Sequence, residues 1–86
     1  MENQKLLQEL ENIATRLDIT VRYEEGDFSG GLCRVQSENI LIINKKHSIQ
    51  KKISTLAREL GSVDLSTIYI LPQLRERISS EASITS

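Results

Sequence analysis

The sequence predicts an α+β fold, in which a helix is followed by three strands, a second helix and a short C-terminal helix. Three observations lead to it. The period of the apolar residues changes from helical to alternating after Asp18, an unbroken apolar run occupies 40–43, and a helical period returns after Ser48. A chain of 86 residues has room for one small domain. We place that domain at 1–78 and predict a disordered tail at 79–86.

The first helix is predicted from Asn3 to Leu17, because its apolar residues recur every three or four positions. These residues are Leu6, Leu7, Leu10, Ile13, Ala14 and Leu17. Such spacing places them on one side of the helix, where they can pack on a sheet.

Three strands are expected after this helix. Residues 19–24 alternate between apolar and polar, which is typical of a strand with one buried face. A glycine-containing loop leads to a second strand at 32–36, and the apolar run 40–43 is typical of a central strand. Short links between consecutive strands favour a mostly antiparallel meander, with the longer helices on one face. The opposite face would be exposed, which favours a dimer through that face.

The second helix is expected to begin after Ser48, a residue type that caps helices, and to stop at Gly61. Its buried stripe would be Ile49, Ile53, Leu56, Ala57 and Leu60. The spacing of this stripe leaves Arg58 and Ser62 together on another side of the helix.

A third, short helix is predicted from Pro72 to about Ile78, because proline is favoured at the first position of a helix. Leu71, Leu74 and Ile78 would form its apolar edge. The Ser- and Thr-rich residues that follow are nearly free of bulky side chains, which is the basis for predicting the tail.

Composition excludes several classes of protein. The net charge of −1 provides no global field to attract nucleic acid or an anionic membrane. Cys33 is the single cysteine, so neither an intramolecular disulfide nor a multi-cysteine zinc site can form, and we interpret it as a small core residue. No apolar run reaches the roughly 20 residues that span a bilayer. We therefore expect a cytoplasmic protein without a membrane partner.

The order of elements and one helix motif carry a family resemblance. A strand that ends in Ile42-Ile43-Asn44, followed by a helix with Leu56-Ala57-x-Glu59-Leu60-Gly61, resembles the ImmA/IrrE-type zinc peptidase core. The resemblance covers roughly Leu6 to Val63, and the corresponding helix of that family bears H-E-L-G-H. The chain is also similar to short bacterial proteins of unknown function that share the segment Gly30–Arg34 and a Leu-Pro-x-Leu-Arg ending. The second resemblance implies no activity.

The zinc ligands of the peptidase motif are replaced in this chain. Arg58 and Ser62 stand where the two histidines would be, and only Glu59 remains. A guanidinium has no lone pair for a metal, and a hydroxyl is a poor zinc ligand. We therefore expect no metal or other cofactor. A lone glutamate on a helix flank is ordinarily a solvated charge, and a hydrolase that uses Glu59 in a cleft with Arg58 and Ser62 is the alternative.

A second candidate site surrounds the start of the second helix. Lys45, Lys46, Lys51 and Lys52 bracket Ser48, and a helix N-terminus favours anions. The ordinary interpretation of this lysine cluster is a solvated face, and binding of an anion or nucleic acid is the alternative. No aromatic stacking platform lies nearby, so a nucleic-acid partner is not expected.

These observations lead to one functional expectation and two alternatives. We expect a non-catalytic binding or scaffolding module that acts through a protein partner or through self-association. Anion or nucleic-acid binding by the lysine cluster is one alternative, and hydrolysis by Glu59 is the other. Both alternatives require several side chains to lie close together in space, which the sequence alone does not establish.

Overall fold

The computed structural model describes residues 1–84, and within them the chain forms three helices and three strands. They are α1 (Asn3–Arg16), β1 (Ile19–Glu24), β2 (Gly31–Val35), β3 (Glu38–Asn44), α2 (Ile49–Leu60) and α3 (Pro72–Ile84). The predicted α+β class and the order of the elements are confirmed.

The sheet has the order β1-β3-β2, with β1 parallel to β3 and β2 antiparallel to it. The predicted meander is wrong, because β1 and β2 are not neighbours. The expectation that β3 is central is confirmed, and it explains the topology: the most apolar strand takes the position that is paired on both sides. The link at 25–30 must therefore pass over the end of β3, a distance of about two strand spacings, or ~10 Å.

The helices cover one face of the sheet, as expected. Side chains that alternate along the strands pack with α1 and α2 in one hydrophobic core. The strand residues of this core are Ile19, Val21, Leu32, Leu41 and Ile43. Their neighbours in sequence point to the other side, which we call the helix-free face. Its residues include Thr20, Arg22, Glu24, Cys33, Val35, Glu38, Ile40 and Ile42.

The ends of α2 lie where the sequence predicts them. The Ser48 hydroxyl accepts a hydrogen bond from the backbone N–H of Lys51, which caps the helix, and Gly61 follows its last residue. No helix among residues 1–84 has the length and apolar character needed to cross a membrane.

The third helix is longer than predicted. It begins at Pro72, as expected, but continues past Ile78 to Ile84. The predicted disordered tail is therefore wrong for residues 79–84, and residues 85–86 lie outside the described part of the chain. The predicted apolar edge is also wrong at Leu71, which is exposed, because Ile70 is the residue that enters the core.

Contacts with α2 explain why a Ser-rich segment remains helical. A Cβ built on Gly61 would lie 2.7 Å from the Cβ of Ala82, so the missing side chain lets the two helices approach closely. The carboxylate of Glu81 accepts hydrogen bonds from Ser54 Oγ and Arg77 Nε. Small and polar residues thus hold the C-terminal part of α3 against α2, although this part of the helix lacks a hydrophobic pattern.

Candidate functional site

The peptidase-like motif lies on the last turns of α2, against the outer edge of β2. Glu59 Oε1 accepts a hydrogen bond of 2.9 Å from the backbone N–H of Leu32, and its Oε2 lies 3.2 Å from Arg58 Nε. The side chain of Glu59 is 23% exposed. Ser62 Oγ donates a 2.7 Å hydrogen bond to the carbonyl of Glu59, so it closes the helix end. The structure thus brings all three predicted residues together, but around a strand edge.

This geometry gives Glu59 a structural role. An N–H on the outer side of an edge strand has no strand partner, and a carboxylate is a strong acceptor for it. The interpretation of Glu59 as a solvated charge is wrong, because both carboxylate oxygens are engaged. In the described part of the chain, no three His, Cys, Asp or Glu side chains lie close enough to hold a metal ion.

We expect Glu59→Ala to lower the free energy of unfolding by about 1–2 kcal/mol, because the half-buried N–H of Leu32 would lose its acceptor. Glu59→Gln keeps a side-chain oxygen at that position, so its cost is expected to stay below about 1 kcal/mol. Urea denaturation measures both values, and hydrogen exchange of the Leu32 amide should accelerate only in Glu59→Ala. Equal exchange rates in the two variants would contradict the edge-strand role.

The four lysines of the second candidate site do not act as one group. Lys45, Lys46 and Lys51 are exposed. The ammonium of Lys52, however, lies 5.7 Å from the centre of the Tyr23 ring, which is within the range of a cation–π contact. Anion binding by this cluster stays a prediction, with three of its four cations at the surface.

Tyr23 joins three elements. Its ring lies beneath Lys52 of α2, and its hydroxyl donates a hydrogen bond to the Glu11 carboxylate of α1. Burial and the nearby Glu11 carboxylate both raise the pKa of Tyr23 well above its usual value, so the hydroxyl stays protonated as a donor. The sequence indicates only that Tyr23 belongs to the buried side of β1.

The loop at 25–30 is fixed by one buried side chain. Asn44 ends β3 with 3% of its surface exposed, and its amide nitrogen donates to the carbonyls of Gly26 and Phe28 at 2.9 and 2.8 Å. Its amide oxygen accepts from the backbone N–H of Lys46. The side chain therefore satisfies loop carbonyls that no strand pairs, at the point where the link passes over the end of β3.

Beneath this loop, the helix-free face forms a groove of about 640 Å³, which we call the loop groove. It is lined by Arg22, Glu24, Phe28, Cys33 and Ile42, among others. Cys33 is exposed there, so its interpretation as a core residue is wrong. The reason is the topology: β2 is an edge strand, and Cys33 points away from the helices.

The rest of the helix-free face is apolar at its centre and polar at one side. Ile40 is buried between its strand neighbours, whereas Val35 is 51% exposed. Arg22 and Glu24 form an ion pair of 2.7 Å along β1, and both side chains are about half exposed. No helix or strand of residues 1–84 covers this surface, which matches the exposed face expected from the sequence.

The sequence patterns did not reveal that the Asn44 side chain holds the loop at 25–30. They also did not reveal that β1 is an edge strand of the sheet. The signal for Asn44 was present, because a polar side chain directly follows the apolar run of the central strand. The open edge gave no signal, since it depends on the strand order.

Comparison with known proteins adds no assignment to this geometry: neither the protein-family models, nor the curated proteins, nor the solved structures that were searched gave a match. The resemblance to the ImmA/IrrE-type peptidase core therefore stays a prediction.

Proposed function

We propose that this protein is a non-catalytic binding module that associates with a second copy of itself through the helix-free face. The observation that carries the proposal is an apolar strip on β2 and β3, with Val35 half exposed, that the helices of residues 1–84 leave uncovered. The engagement of both Glu59 oxygens in hydrogen bonds supports the non-catalytic part.

The charges on this face favour a second copy over a foreign partner. Arg22 and Glu24 lie side by side on β1, so the β1 side of the helix-free face carries one charge of each sign. A two-fold interface requires a self-complementary surface. In such a pair, Arg22 of one copy can contact Glu24 of the other, and the apolar centres can pack together.

The size of the face predicts a weak dimer. Three strands about 20 Å long and about 4.8 Å apart offer much less than the ~800 Å² per partner that stable complexes bury. We expect a dissociation constant on the order of 10–100 µM. Sedimentation velocity from about 10 µM to about 1 mM protein would show the monomer–dimer equilibrium as a rise in average mass.

We expect Val35→Glu to weaken the dimer at least about tenfold, since Val35 is the exposed large apolar side chain of this face and each copy would bring a further carboxylate beside Glu38 into the interface. Tyr69→Glu is the matched control, because it places the same charge on an exposed aromatic residue before α3. Both variants should unfold at the same urea concentration as the parent chain. A mass that stays monomeric at every concentration, or an equal effect of the two variants, would contradict the proposal.

A charge exchange tests whether the partner is a second copy. Arg22→Glu should weaken the dimer, because it places like charges across the two-fold axis. The double variant Arg22→Glu with Glu24→Arg should restore it, since both copies change together. If the double variant is weaker than the single one, a self-complementary interface is excluded.

A further inference from the structure

The two edges of the sheet differ in whether their outward backbone groups are already occupied by a side chain. On β2, the N–H of Leu32 points away from β3 and is occupied by Glu59. On β1, the carbonyl of Glu24 accepts a hydrogen bond from Lys45 on the β3 side. Because backbone groups alternate along a strand, those of Val21 and Tyr23 point outward, where the described residues provide no strand.

A groove runs along this open edge, between β1 and α1. Its volume is about 620 Å³, and we call it the edge groove. Its walls include Glu11 and Thr15 from α1, Asp18 from the turn, and Val21 and Tyr23 from β1. The volume lies within the ~300–1,000 Å³ typical of ligand sites, and the six residues of β1 offer about 20 Å of backbone.

The edge groove is acidic. Glu11 and Asp18 line it, and none of its lining residues is Lys or Arg. The carboxylate of Glu11 is held on the groove wall by the Tyr23 hydroxyl, and Asp18 is held in the turn with φ of 60°. Lys52 lies over the Tyr23 ring and is not part of the lining.

From this combination we infer that the edge groove binds an extended peptide segment of a partner protein that carries Lys or Arg side chains. The peptide adds to the sheet as a fourth strand beside β1. Its backbone pairs with the outward N–H and C=O groups of Val21 and Tyr23. Alternate side chains point toward the helix layer, where their positive charges meet Glu11 and Asp18.

The same charges disfavour a second copy as the occupant. Antiparallel pairing of two β1 strands around Val21 would place Asp18 of one copy near Glu24 of the other. These like charges repel each other, whereas a basic segment is attracted. The inference goes beyond the proposed dimer, since the edge groove and the helix-free face are different surfaces and are tested by different measurements.

The test begins with a random heptapeptide phage library panned on the folded, full-length chain. We expect enriched sequences in which Lys or Arg alternates with aliphatic residues. A synthetic peptide of the most enriched sequence is then titrated into ¹⁵N-labelled protein. The amides of Val21 and Tyr23 should shift and exchange more slowly with solvent, whereas the same peptide N-methylated at alternate residues should not bind.

Two charge variants test the acidic wall. Asp18→Asn tolerates the same positive φ, and Glu11→Gln keeps an acceptor for the Tyr23 hydroxyl. Each should weaken peptide binding about three- to fivefold by fluorescence anisotropy, and added salt should weaken binding further. Glu76→Gln, on the exposed side of α3, is the matched control and should leave the affinity unchanged.

Three results would overturn the inference. The first is a library that yields no enrichment or acidic sequences. The second is a set of shifted amides that excludes β1. The third is protection of the Val21 and Tyr23 amides that rises with protein concentration when no peptide is present, which would make a second copy the occupant.

Discussion

Replacing Asn44 with alanine is expected to remove about 2–4 kcal/mol from the free energy of unfolding. The substitution removes the nearly buried amide that donates to the carbonyls of Gly26 and Phe28 and accepts from the N–H of Lys46. A domain of this size has roughly 5–10 kcal/mol of stability, so the loss is a large fraction of the total. Urea denaturation followed by circular dichroism measures it, and hydrogen exchange should increase first in the loop at 25–30.

Asn39→Ala is the matched control, since Asn39 lies in the same strand and is half buried. Its cost should stay below about 1 kcal/mol. Asn44→Asp should cost at least as much as Asn44→Ala, because a buried carboxylate would face two carbonyl oxygens. If Asn44→Asp proved nearly neutral, Asn44 would be filling space rather than holding the loop.

The second large effect is expected for Gly30→Ala. Gly30 has a φ of +94°, and a Cβ at this position would lie 2.5 Å from the carbonyl oxygen of Ile42. A backbone oxygen of the central strand cannot move aside easily, so steric overlap adds to the cost of the left-handed conformation. We expect a loss of about 2–4 kcal/mol in the free energy of unfolding, together with a changed loop groove.

Gly26→Ala is the comparison for this prediction, because it lies in the same loop with no positive φ. The added Cβ would approach only the side chain of Phe28, at 2.8 Å, and a half-exposed ring can turn away. Its cost should remain below about 1 kcal/mol. Losses of equal size at Gly26 and Gly30 would show that the loop tolerates any side chain equally poorly, and the contact with Ile42 would then not be the cause.

Periodicity alone was sufficient to predict the class of fold and most of its elements. The helical spacing from Leu6 to Ala14 and the alternation in β1 each reflect burial on one side, which is a local property of the sequence. The caps of α2 at Ser48 and Gly61 are also local, and they were placed correctly. Local patterns failed at α3, where contacts of Ala82 and Glu81 with α2 determine the length of the helix.

The strand order could not be obtained in the same way. Whether β1 pairs with β2 or β3 depends on which arrangement buries the run 40–43 best, and that is a property of the whole core. The wrong strand order also led to wrong predictions for Cys33 and Glu59. The meander would place β2 in the centre of the sheet, whereas the observed order makes it an edge strand with Cys33 exposed and with the Leu32 N–H free to donate to Glu59.

The contact of Glu59 with the edge of β2 also bears on how a sheet-based assembly could grow. Continuous fibrils require each chain to accept a strand on one side and to offer one on the other. Here the Glu59 carboxylate from α2 takes the outward N–H of Leu32, so a strand added beside β2 would lose one of its hydrogen-bond donors. The same contact makes β2 a poorer acceptor of an added strand than β1, and this difference between the two edges disfavours growth by repeated strand addition.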